Sequence, residues 1–370
     1  MPLTIPRYPL PGILCALVLD AVDQTVFQWL DVSDLSNYQS YDKALDVYYL
    51  AIAYIATLRN WTNAYAFETG RFLWYYRLVG VVAFELASWR PMLLIFPNVF
   101  EYFFIFYALV QLRWDPHRLS RDAVLAAAAV LWVGVKLPQE YWIHVAKLDT
   151  TDLIKEHLLG AGPGTTWAAA IGDNLWVFPA VAVLAAGAVL LARWIARHLP
   201  PADWRLSFSA ALDVPAMPAE ARRPLERQPK SWLAEKIVLV SLLTIIFAQI
   251  LPGFDARPLR IVAGVAVVIV LNSFVTHWFA GRGTQWSSTL VEFLAMSAIN
   301  FGTATIYIFV TPGDRAVGAP ALIFLTLILT LIVTLYDHYR PIHDYQLARQ
   351  RPAPGVAPPG PAILATDPTN

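Results

Sequence analysis

The chain has 370 residues, of which 57% are hydrophobic and only 15% charged, with a mean hydropathy of +0.50 and no formal net charge at pH 7. That balance lies outside the range of soluble globular domains and marks a membrane protein. The lack of excess positive charge, with no basic run interleaved with aromatics, excludes nucleic acid as a partner, and the single cysteine, Cys15, excludes an internal disulfide.

A helix needs about 20 residues to cross the hydrocarbon core, and a window of that length yields about ten predicted spans. In chain order they lie near residues 10–30, 44–59, 71–88, 91–113, 122–145, 174–195, 233–252, 259–280, 287–310 and 320–338. The second is short and is expected to begin earlier. Backbone groups in lipid must be satisfied within the segment, so the predicted class is all-α, a polytopic integral membrane helical bundle. The runs are too long and unbroken for the alternating strands of a barrel. The opening MPLTIPRYPLPG has one arginine and no small-residue cleavage site after it, which argues against a signal peptide.

Lysine and arginine in short loops set the orientation. Arg113, Arg118 and Arg121, then Arg205, Arg222, Arg223 and Arg227, then Arg340, Arg349 and Arg351 fall on one side of a ten-span path. Both termini are thereby expected in the cytoplasm, in a bacterial-type cell membrane. The acidic stretch 147–173 falls on the other side. Residues 1–340 form the predicted membrane domain. Its connection 196–231 reads either as a solvated linker or as one with an interfacial helix in DWRLSFSAALDV. The Pro-rich residues 341–370 form a disordered cytoplasmic tail. Trp29, Trp61, Trp114, Trp194, Trp232 and Trp286 fall near span ends and are expected as interfacial anchors. Cys15, inside the first span, is expected to be buried as a small hydrophobe.

The first span carries the costliest residues. A carboxylate at bilayer depth costs about 2.5 to 3.5 kcal/mol on insertion scales, so acids there must be neutralised, paired, hydrated or bound to a cation. Asp20, Asp23, Gln24 and Gln28 share one helical face, and Asp42 and Asp46 are spaced i, i+4 in the next span, beside Gln39 and Lys43. Should these two helices pack together, four carboxylates with amides would suit a hard divalent cation such as Mg²⁺. The structural alternative is a polar seam, with Asp23 paired to Lys43 or to an arginine, and Gln24 and Gln28 bonded across helices.

The spacing Asp20-x2-Asp23, followed by Asp42-x3-Asp46, resembles the acid framework of the CDP-alcohol phosphotransferase family. The resemblance implies that Asp20, Asp23 and Asp42 hold metal and that Asp46 is the catalytic base. It covers only residues 20 to 46. Gln24, Phe27, Gln28 and Tyr38 stand where the family has Gly, Ala, Arg and Gly.

Further charges lie in later spans. Arg77 and Glu85 share the third and Glu101 lies in the fourth, where an Arg to Glu pair would neutralise both charges. Tyr75, Tyr76, Tyr102 and Tyr107 can join the same network. Lys136, Glu140 and His144 form an i, i+4, i+8 stripe through the fifth span, with Pro138 predicted to kink it. This stripe reads as an ion pair near the outer interface or as a route for protons. Asn272, His277, Glu292 and Asn300 are the polar groups of the eighth and ninth spans. The last span, ALIFLTLILTLIVTLY, is almost purely aliphatic and is expected to face lipid.

No Walker A sequence, H-E-x-x-H or G-x-S-x-G elbow is present, so ATP-driven transport and common zinc or serine chemistry have no support. Three readings remain, each with the bilayer as partner and an ion, small molecule or lipid as substrate. The first is a transporter-like, proton- or cation-coupled protein. The second is a metal-dependent enzyme acting on a lipid or polyprenyl phosphate. The third is a scaffold whose polar seams specify helix packing.

Overall fold

The computed structural model describes residues 2–29, 38–146, 153–162, 165–203, 206–210, 230–250, 257–281, 289–310 and 319–350. All regular structure among them is helical. In chain order the α-helices are α1 (Pro9–Trp29), α2 (Tyr38–Asn60), α3 (Ala64–Ala87), α4 (Pro91–Ile95), α5 (Val99–Arg113), α6 (Arg121–Ala129) and α7 (Leu137–Glu140). There follow α8 (Trp167–Gly172), α9 (Val177–His198), α10 (Lys230–Ile250), α11 (Pro258–Gly281), α12 (Thr289–Val310) and α13 (Ala319–Gln350). Each predicted span overlaps a helix among the described residues. Five described stretches are long and apolar enough to cross a membrane: Pro91–Arg113, Arg121–Ile143, Val177–His198, Ser231–Gln249 and Leu322–Leu347. As expected, the second helix begins early, at Tyr38, so that Asp42 and Asp46 lie in its first turns.

The chain divides into two compact units. One comprises residues 1–71 and 208–370, the other residues 72–207.

In the first unit α1 packs on α2, α2 packs on α10 and α13, and α11 and α12 complete the bundle. Its core is apolar, with Leu50, Ile55 and Leu58 of α2, Leu243 and Phe247 of α10 and Ile332 of α13 all buried. Charges tie three of these helices together at one end. Tyr54 donates its hydroxyl proton to Glu235 Oε1 at 2.5 Å, and Arg340 Nη1 donates to Glu235 Oε2 at 2.7 Å. Lys236, only 1% exposed, reaches Asp337 Oδ1 at 2.6 Å. The Arg340 guanidinium also lies over the Trp232 ring and 3.4 Å from Asp344. Beside this clasp, Arg59 and Asn60 donate to the Pro6 carbonyl, and Gln346 donates to the carbonyl of Arg59.

Four expectations change here. Only part of the last span is free to face lipid: Ile323, Phe324 and Leu327 are exposed, but Leu322, Leu325, Ile332, Val333 and Tyr336 are buried together with Thr326, Thr330 and Thr334. The threonines recur every four residues and so form one narrow face. Thr330 donates to the Thr326 carbonyl and accepts from Asn300, which lets polar groups pack inside an aliphatic helix. Helix α13 also continues through Pro341 to Gln350, so residues 341–350 are helix and not tail, and 351–370 lie outside the described residues. Trp61 and Trp232 are core rather than interfacial residues, and Trp61 fills the space left by Gly70, where an added Cβ would lie 2.6 Å from the indole. Cys15, finally, is exposed.

In the second unit the predicted span 91–113 is two helices. Pro97 has no amide proton and disfavours helical geometry at Phe96, so α4 ends there and α5 starts afresh at Val99. Phe100, Phe103, Phe104 and Tyr107 are buried, with Trp74 of α3 against Phe100. The helix 121–145 carries Pro138, and on either side of the short α7 it widens into π turns, Val130–Lys136 and Tyr141–Val145. Pro138 disturbs the ordinary hydrogen-bond ladder, and wide turns of this type absorb such a fault. Helix α9 carries no buried side chain. Just past its end, Pro200 accepts from Trp114 Nε1, and Asp203 accepts from the Asp115 amide and Arg118 Nη1, the latter at 2.7 Å.

Three substitutions test this packing. Arg340→Ala leaves a mostly buried Glu235 carboxylate without its cation and is expected to lower stability by about 3 to 5 kcal/mol, against about 1 kcal/mol for Tyr54→Phe, as read by thermal unfolding in detergent. Gly80→Ala puts a methyl group into the Phe96 side chain and is expected to cost about 1 to 3 kcal/mol by overpacking. The same unfolding transition for all three variants and wild type would contradict this packing.

Candidate functional site

Among the described residues, the buried charges Glu101, Lys136 and Glu140 lie together within membrane-compatible stretches of the second unit, beside the break at Pro97. A helix that starts inside a span exposes free amide groups, and one that ends there exposes free carbonyls. Side chains meet the carbonyls. Tyr76 donates to the Ile95 carbonyl at 2.8 Å and Arg77 Nη1 to the Phe96 carbonyl at 3.2 Å. On the other side of the break, Asn98 precedes α5, and Glu101 occupies its first turn, where the positive end of the helix dipole favours an anion.

Asn98 joins two carboxylates. Its side-chain amide donates to Glu101 Oε2 at 3.1 Å, and its backbone amide donates to Glu140 Oε1 at 3.5 Å. Lys136, one helical turn before Glu140, lies 4.0 Å from the same Glu140 oxygen. Its ammonium also lies 4.2 Å from the centre of the Tyr102 ring. Tyr102 is held in turn by donating to Gln139 Oε1 at 3.3 Å. None of the four polar residues exposes more than 5% of its surface: Glu101 3%, Asn98 5%, Lys136 5% and Glu140 5%. Around them stand aromatic rings, Tyr76 packing on Phe96 at 4.6 Å and on Trp132 at 5.0 Å.

Such a cluster can exchange protons or hold a cation. Two carboxyl groups are linked by one asparagine, an ammonium ion sits on an aromatic face, and the surroundings are of low polarity, so the charge state responds strongly to any change of partner.

The predicted site residues are distributed as follows. Glu101, Lys136 and Glu140 come together in this cluster. Arg77 lies at the Phe96 carbonyl beside the break, and Glu85 is half-buried on α3. His144 lies in the second π turn, but its side chain falls outside the described residues. So do the side chains of Asp20, Asp23, Gln24 and Gln28 on α1, Asp42 on α2, His277 and Glu292. Asp46 is half-buried on α2, and α1 and α2 are packed neighbours, as a shared acid face requires. Among the described residues no group of three or more His, Cys, Asp or Glu is arranged to hold a metal ion.

Asn98 and Gln139 complete the cluster without having been expected there, while Tyr102, expected to lend its hydroxyl to the network around Glu101, gives it to Gln139 and its ring face to Lys136. The Phe-Pro-Asn interruption inside an apolar run was the available signal. In the first unit the Tyr54, Glu235, Lys236, Asp337 and Arg340 clasp was likewise unforeseen, as was His343. That histidine is 1% exposed, its ring lies 3.9 Å from Phe67, and neither ring nitrogen has a hydrogen-bond partner among the described residues. Comparison with known proteins adds nothing to this geometry, since no family model, curated protein or solved structure matches the chain.

Proposed function

We propose that the chain is a transporter-like membrane protein that couples to protons or cations through Glu101, Asn98, Glu140 and Lys136. One observation carries this reading. Two carboxylates and an ammonium ion are almost fully buried within helices that can cross a membrane, and ionisable groups at that depth are retained where they serve ion or proton movement. A scaffold needs only neutral polar seams for packing, of the kind formed by Asn300 and Thr330.

The contacts between helix ends fit an alternating ten-span path. On that path the start of α1, the end of α2, the start of α10 and the end of α13 face one side. These are the ends joined through Pro6, Arg59, Glu235, Arg340 and Gln346. Within the second unit the same path puts the end of α5 and the end of α9 on one side, and Trp114 and Pro200 are bonded there.

Reconstitution into proteoliposomes with an internal pH dye tests the reading. Imposed gradients of inorganic or organic cations are expected to move protons in the wild type. Glu101→Gln and Glu140→Gln are expected to slow that movement about 100-fold or more, as loss of a positioned proton carrier does. Proton flux unchanged in both variants, or absent in the wild type over the full set of gradients, would overturn it.

A further inference from the structure

Two cations in the first unit are held side by side with no carboxylate to balance them. Arg59, half-buried at the end of α2, donates from Nη1 to the Pro6 carbonyl at 3.0 Å. That carbonyl belongs to the peptide bond of Arg7, so the two arginines meet at one corner. Arg7 is exposed, yet its backbone is fixed on both sides: its amide donates to the Thr4 carbonyl at 3.1 Å, and its carbonyl accepts from the Ala210 amide at 2.9 Å. Each guanidinium lies over a tyrosine ring, Arg7 over Tyr8 at 5.6 Å and Arg59 over Tyr339 at 5.8 Å. Among the described residues neither arginine has an acid within ion-pair distance, whereas Arg340, Lys236 and Arg71 each have one. A guanidinium stacked on a ring keeps in-plane N–H groups for an anion, and their fork matches the oxygens of a phosphate.

The surroundings point to a lipid as the source of that anion. Tyr8, Cys15 and Leu19, at i, i+7 and i+11, line one side of α1 with Val18 next to them, and all four are exposed. This strip starts at the arginine pair and runs along the helix, as an acyl chain runs below its headgroup. Tyr339 lies toward the end of the stretch Leu322–Leu347, which is long and apolar enough to cross a membrane, and tyrosine at such an end sits at headgroup depth. Free phosphate would use the arginines and leave the strip uncovered. We propose that Arg7 and Arg59 bind the phosphate of an anionic phospholipid, a diester whose headgroup carries no balancing cation, with one acyl chain along the exposed side of α1. A zwitterionic lipid brings its own ammonium to the same phosphate, so the pair discriminates by net charge. The site belongs to the first unit and does not depend on the coupling reading.

Native mass spectrometry of the purified full-length protein in detergent, titrated with dioleoyl phosphatidylglycerol or dioleoyl phosphatidylcholine, tests the site. The wild type is expected to bind the anionic lipid about tenfold or more tightly than the zwitterionic one. Arg7→Gln and Arg59→Gln are each expected to weaken anionic lipid binding about fivefold, and the double variant to bind both lipids alike. The Arg7 side chain makes no hydrogen bond or ion pair among the described residues, so Arg7→Gln is expected to unfold at the wild-type temperature, which separates loss of the site from loss of the fold. Inorganic phosphate at millimolar concentration is expected to leave the lipid bound. Displacement by it would assign the arginines to free phosphate and overturn the proposal. Equal binding of the two lipids by the wild type would also overturn it, as would an unchanged preference in the double variant.

Discussion

A charge inside hydrocarbon must be paired, and the second unit is built around meeting that demand for Lys136. Its ammonium is held by the Tyr102 face and by Glu140, which ties the π-turned helix to α5. Asn98 then links Glu140 to Glu101, and Asn98 is available only because Pro97 ends α4 and lets α5 begin inside the span. The broken helix, the widened turns around Pro138 and the buried cluster therefore form one arrangement. Interrupted helices at membrane depth are tolerated where protein encloses the freed backbone groups, as Tyr76 and Arg77 do for the carbonyls of Ile95 and Phe96.

The first unit uses charge differently. Tyr54, Glu235, Arg340, Lys236 and Asp337 join the ends of α2, α10 and α13, where the apolar interior of the bundle stops. Removing one partner of such a pair is costly because the other is left buried. Along α13 the bonding becomes neutral, with threonines at every fourth position and Asn300 donating to one of them. Ionic contacts at the end and hydroxyl contacts along the shaft divide the work of fixing which helices are neighbours.

Much of this was legible in the residues. Apolar runs located the helices, and the i, i+4 spacing of Lys136 and Glu140 placed both on one face of one helix. Glu101 was also marked, because an acid in an apolar run is conspicuous whatever its partner. The partners were harder to see. Glu235 and Arg340 are separated by 105 positions and Tyr54 and Glu235 by 181, and nothing local specifies such pairings. The last helix misled because its aliphatic content hid a stripe of three threonines, and hydropathy averages over faces that packing distinguishes. The CDP-alcohol phosphotransferase resemblance and the Mg²⁺ reading rest on Asp20, Asp23 and Asp42, whose side chains lie outside the described residues.

The account depends on the carboxyl groups of Glu101 and Glu140 changing protonation within the membrane. Infrared difference spectroscopy of the protein in lipid bilayers, recorded as the bathing pH is stepped, reads that change directly. The account predicts a protonated-carboxyl band that appears in the wild type, shrinks in Glu101→Gln or Glu140→Gln and disappears when both are replaced. A difference spectrum that is the same in the double variant and the wild type would contradict it.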